Sequence, residues 1–156
     1  MTTLAGTAGA ARLLNEGYGS GAWHGPDLKA AVAGIAGDDA FWRPGAGRHN
    51  IAEIAVHHAY CAHNVRAKLA DAIEPFAIEG DDWFDVSHLA WPAIRALVER
   101  EQEQLAAVAA DIDEGRAASA LSAAEQFDLV LGITCHAVYH AGQIQLIRKL
   151  RQERQE

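Results

Sequence analysis

The chain has 156 residues, half of them hydrophobic, which suits a single domain spanning 1–156 with a core of ordinary size. Thirteen basic residues stand against 21 acidic ones, and the formal charge of -8 repels polyphosphate and anionic lipid, so nucleic-acid and membrane-surface partners are not expected. No apolar run approaches the roughly 18 residues of a membrane helix, and the first residues lack the basic and apolar regions of a secretory signal; the expectation is a cytoplasmic protein in which Cys61 and Cys135 remain thiols.

Ala, Leu, Glu, Gln and Arg dominate and no β-branched run alternates with polar residues, so the chain reads as all-α. The first helix is predicted from Leu4 to about Gly17, with Leu4, Ala8, Ala11 and Leu13 or Leu14 on one face and Gly17, Gly19 and Gly21 ending it. Pro26 and Asp27 suit the first turn of a short extra helix reaching about Ile35. Gly37 to Gly47 reads as a loop that carries Phe41 and Trp42 against the core. Asn50-Ile51-Ala52-Glu53 is a capping-box pattern opening a long second helix, whose apolar stripe runs Ile51, Ile54, Cys61, Val65, Leu69.

Ala72 to Asp85 is predicted to be a long crossing connection. Ser87 is a plausible N-cap for the third helix, with Pro92 able to move its start later; Leu89, Trp91, Ile94, Leu97 or Val98, Leu105 and Val108 face inward and acidic and amide residues face out. Ser122-Ala123-Ala124-Glu125 is a second capping box, and the fourth helix runs from it to Arg148–Arg151. Four long helices with a long crossover between the second and third predict a four-helix bundle.

On the fourth helix, His136 and His140 are four apart and so project from one face one turn apart, the spacing at which two imidazoles share a metal ion. Their stripe is Leu129, Ile133, His136, His140, Gln143, Ile147, Leu150, apolar at both ends and polar in the middle. In a core, each unpaired polar group there costs about 1 to 3 kcal/mol, which a metal would relieve. His57 and His58 both lie within the second helix's stripe, and periodicity alone does not choose which supplies a third imidazole.

The Trp23-x-Gly25-Pro26-x-Leu28 entry, the Asn50 to His57 segment and the His136-x-x-x-His140-x-Gly142-Gln143-Ile144 ending resemble the DinB-like (damage-inducible B) superfamily over about Leu13 to Leu150. The resemblance implies a bundle holding a divalent metal, nickel or zinc most often, through one histidine of the second helix and two of the fourth. Counting four residues on from Glu53, the family's ligand falls on His57; His136 and His140 match the other two, and His58 takes a place the family usually fills with an apolar residue. Where the family often has Trp-Ser or Trp-Thr before the second helix, this chain has His49-Asn50, so no substrate is implied. Characterised relatives include bacillithiol S-transferases and mycothiol-dependent maleylpyruvate isomerase, and members often form homodimers.

Three neutral imidazoles leave coordination positions open for water or a thiolate, which a metal makes nucleophilic near neutral pH. The expected function is activation of a low-molecular-weight thiol or water against a small electrophilic substrate, as in a thiol S-transferase or a metal-dependent hydrolase. A noncatalytic metal-binding bundle is the competing reading, with Cys61 or His58 as a fourth ligand; haem is disfavoured by the absence of C-x-x-C-H. Gln143 is assigned the possible orienting role at the catalytic site. Cys61, Tyr139, Trp42, Trp83 and Trp91 are read as packing residues, with the Trp83 loop a candidate cavity entrance. Glu53 is read as a cap and Gly142 as a point of close helix approach, while His24, His63 and His88 receive no role.

Overall fold

The computed structural model describes residues 9–19, 21–72 and 74–156, and among them every regular element is helical. The elements are α1 (Gly9–Gly17), α2 (Leu28–Val32), α3 (Gly37–Ala40), α4 (Ile51–Leu69), α5 (Trp91–Asp113) and α6 (Ala123–Glu153). The expected Leu4 and Ala8 positions of the first helix lie outside the described residues. Leu14 is the inward residue of α1, and Leu13 is only partly buried.

Both capping boxes form. Asn50 Oδ1 accepts the Glu53 amide at 2.8 Å while the Glu53 carboxylate accepts the Asn50 amide at 3.2 Å. Ser122 and Glu125 reciprocate in the same way at 3.3 and 2.8 Å. Each satisfies two amides that the first helical turn leaves without partners. Asp27 caps α2 by accepting from the Ala30 amide at 3.0 Å.

Three expectations shift. The short helix ends at Val32 rather than near Ile35, and α3 turns within the segment expected to be loop; Ala36 precedes it, with Asp38 and Asp39 in its first turn where the helix dipole favours acid. The third helix opens at Trp91, because Pro92 fits a first helical turn and the residue before a proline resists helical geometry. Ser87 instead binds back to the Asp85 carboxylate through its amide and hydroxyl.

α4 packs on α5 and α6, and α1 on α6 and α5. Two apolar clusters divide the interior. One joins Ile51–Ala59 of α4, Trp91–Val98 of α5 and Ala137–Ile147 of α6 with α2 and α3; the other joins Ala62 and Leu69, Leu105 and Ala109, and Val130 and Ile133 with Leu14. The residue order gives α4 and α5 the same direction and α6 the opposite one. The 21 residues from Ala70 to Ala90 return the chain from the end of α4 to the beginning of α5, and among the described ones there is no helix or strand.

Gly17, expected only to stop α1, lies where that helix meets α6: an added Cβ would stand 2.9 Å from Ala137 Cβ. Gly142, expected at a close approach, is exposed, and a Cβ there would meet nothing within 4 Å. Cys61 and Cys135 are free thiols. Among the described residues no helix is long and apolar enough to cross a membrane.

Candidate metal centre

Between the two apolar clusters lies a layer of polar side chains. His57 and His58 enter it from α4, Glu101 and Gln102 from α5, and His136 and His140 from α6; all are buried but His136, which is half-buried. The expectation that the acidic and amide residues of α5 all face out is therefore wrong for Glu101 and Gln102. At 100° per residue both share the inner side of α5 with Val98 and Leu105.

His136 Nε2 is 3.1 Å from His57 Nε2 and 3.1 Å from His140 Nε2. One ligand atom from each of the three histidines lies within 4.8 Å of the others, a group able to hold a metal ion. Metal–imidazole bonds of about 2.0 to 2.1 Å put ligand nitrogens about 2.8 to 3.4 Å apart at octahedral to tetrahedral angles, so the donor set fits a divalent ion.

Neighbouring groups fix two of these rings. His57 Nδ1 lies 2.9 Å from the main-chain oxygen of Asp82 and 3.1 Å from its carboxylate. A carbonyl only accepts, so the His57 proton sits on Nδ1 and the Nε2 lone pair faces His136. Asp82 reaches this position with φ 47°, in the left-handed region that Asp tolerates better than most residues. His140 Nδ1–H donates to Gln143 Oε1 at 2.7 Å, and the Gln143 amide nitrogen donates to the Tyr139 hydroxyl at 3.0 Å. Tyr139, expected to pack, is largely exposed beside the site.

His58 is fully buried and does not face the triad. Its Nδ1 is 3.1 Å from His136 Nδ1, on the far edge of that ring, and its Nε2 meets the Gln102 amide. Burial, followed by the neighbouring imidazoles, pushes the His58 pKa well down. Burial and then His140 and His57 lower His136 from 6.5 to about 4, and burial lowers His140 despite its bond to Gln143. These rings are neutral at physiological pH, as metal ligation requires.

The mouth is aromatic. Trp83 stacks on His49 at 3.6 Å and on His57 at 4.2 Å between ring centroids, so it forms a partly exposed wall of the site rather than core. His49 also meets the Glu53 carboxylate, both oxygens of which Arg43 engages. Glu53 thus serves as cap and as anchor for this wall. Cys61 Sγ lies 4.0 Å from His57 Nε2, and burial, followed by Asp82, raises its pKa to about 11.

His63, given no role from sequence, is buried in a separate network. It meets Glu101 at 3.2 Å and the Glu74 main-chain oxygen at 2.9 Å, and Arg66 bridges Glu74 at 2.8 Å and Glu101 at 3.5 Å. This network ties the crossover to α4 and α5. Trp91 is core as expected, donating from Nε1 to the Ile35 oxygen at 2.9 Å.

The sequence contained the signal for one missed contact: Asp81-Asp82-Trp83 in a long loop. Nothing in its spacing showed which carbonyl would meet which imidazole. A family model described as the DinB superfamily matches residues 22–144, more than three quarters of the chain, and the chain belongs to that metal-binding superfamily. No curated protein and no solved structure was found to match it.

Proposed function

We propose that this DinB-superfamily chain is a divalent-metal enzyme of thiol S-transferase type, in which His57, His136 and His140 hold zinc or nickel. One domain, with α1, α4, α5 and α6 as a four-helix bundle, carries the site. The observation supporting this most strongly is the convergence of the three Nε2 atoms, two of them with their protons held on the opposite nitrogen by Asp82 and Gln143. Imidazole ligands suit both metals.

The ion supplies Lewis acidity that brings the pKa of an approaching thiol or water toward neutral pH. The protein's own groups orient and exclude. Asp82 and Gln143 hold the two rings in register, and Trp83 and His49 cover one side. A small electrophile would enter past Trp83 and Tyr139, which are the exposed aromatic groups of the rim.

Zinc- or nickel-loaded protein mixed with a low-molecular-weight thiol and an electrophile such as an alkyl halide should consume free thiol in a metal-dependent way. His140→Ala should remove that rate, and equal rates for the two proteins would contradict the reading. Hydrolysis by activated water is the alternative at the same site, distinguished by turnover without thiol. The noncatalytic reading is favoured by Cys61, whose sulfur is near enough to His57 to close the shell; loss of metal from Cys61→Ser would support it. The exposed Phe127, Leu131, Leu146 and Leu150 on one side of α6 support a homodimer, which light scattering of the intact chain tests.

A further inference from the structure

His136 differs from its two partners. The Nδ1 atoms of His57 and His140 face oxygen acceptors, whereas that of His136 faces another imidazole, whose second nitrogen meets an amide. Gln102 of α5, His58 of α4 and His136 of α6 thus form one line of hydrogen bonds across three helices. His58 and Gln102 are both buried in a layer where an unpaired polar group is costly.

A bond between two ring nitrogens needs one donor and one acceptor, so the direction chosen at one end propagates to the other. With the Gln102 nitrogen against His58, as the structure has it, His58 Nε2 accepts. The His58 proton then sits on Nδ1 and is donated to His136 Nδ1, and the His136 proton sits on Nε2, where His57 or His140 accepts it across 3.1 Å. A half-turn of the amide reverses every bond. His58 Nε2–H then donates to the Gln102 oxygen, His136 Nδ1–H donates to His58, and the Nε2 lone pair of His136 joins those of His57 and His140. Three lone pairs at this separation repel one another and call for a cation.

We propose that Gln102 and His58 are positioning residues for the metal: a half-turn of the Gln102 amide, relayed through His58, converts His136 from a hydrogen-bond donor into a metal ligand. This rests on the metal reading above. Amide orientation and ion occupancy then select each other, because each arrangement satisfies the polar layer only with its own occupant. The relay also accounts for a histidine at position 58, where the triad geometry itself asks for none.

The test uses the full chain, labelled with 15N histidine and titrated with zinc while two-bond nitrogen–proton spectra read the tautomer of each ring. At saturation the His58 proton should sit on Nε2 and the His136 proton on Nδ1. Gln102→Leu should weaken zinc binding about 10- to 100-fold, whereas Gln102→Glu, an acceptor of equal length, should stay within about threefold of the original chain. A His58 proton on Nδ1 in the zinc-saturated protein would overturn the relay, and that spectrum decides the matter even if the leucine variant fails to fold. A folded Gln102→Leu protein with unchanged zinc affinity would overturn the relay while leaving the metal reading intact. Absence of zinc binding by the original chain would overturn both.

Discussion

His57 of α4 donates from Nδ1 to the main-chain oxygen of Asp82, 25 residues later in the crossover, at 2.9 Å. The Asp82 carboxylate lies 3.1 Å from the same nitrogen. Because the carbonyl remains when the side chain is removed, and glycine accepts the positive φ at position 82, Asp82→Gly should cost less than about tenfold in zinc affinity. Gln143→Leu removes the oxygen that accepts from His140 Nδ1 and should cost about 10- to 100-fold. Calorimetric titration ranks the two variants, and the reverse ranking would contradict this assignment of the two supports.

The buried Glu101 carboxylate sits between His63 and Arg66. Removing it strands a guanidinium that is largely out of water, and breaking a buried pair in this way typically costs about 3 to 5 kcal/mol. Arg66 keeps Glu74, so the low end, about 3 kcal/mol, is expected for Glu101→Ala in urea denaturation. A loss below about 1 kcal/mol, the range of surface pairs, would mean that the network contributes nothing beyond packing.

Acid should destabilise chelator-treated protein. Burial first, and then His140 and His57, hold His136 at about 4 against 6.5 for the ordinary side chain, and burial lowers His58 and His140 in the same direction. Between those values the unfolded chain binds protons that the folded chain does not. Stability from this source is therefore complete above pH 6.5 and is lost as pH falls toward 4. Urea midpoints should drop from pH 7.5 to pH 5, and His136→Phe should flatten the slope. Equal midpoints at the two pH values would show that the rings are not kept neutral by folding.

Much of this was legible in the chain. The Asn50 and Ser122 capping boxes placed the starts of α4 and α6, because caps are local and depend on residues three apart. The four-residue spacing of His136 and His140 likewise reads directly as one helix face. His57 and His58 could not be separated by periodicity, and the structure separates them by the edge of His136 that each meets: Nε2 for His57, Nδ1 for His58. Gln102, Glu101 and His63 looked like surface residues because their types usually are. Their burial follows from α5 supplying the third side of a polar layer, a tertiary fact. Asp82 and Trp83 lie in a connection without regular structure, where no period predicts direction.

The proposed function requires the three Nε2 atoms to hold one ion. Elemental analysis of untagged protein purified without chelator, beside His57→Ala, His136→Ala and His140→Ala, tests it most directly. The expected result is about one zinc or nickel per chain in the original protein and loss of it in each variant. An original chain that takes up no divalent metal after reconstitution, or variants that keep it at full occupancy, would contradict the assignment.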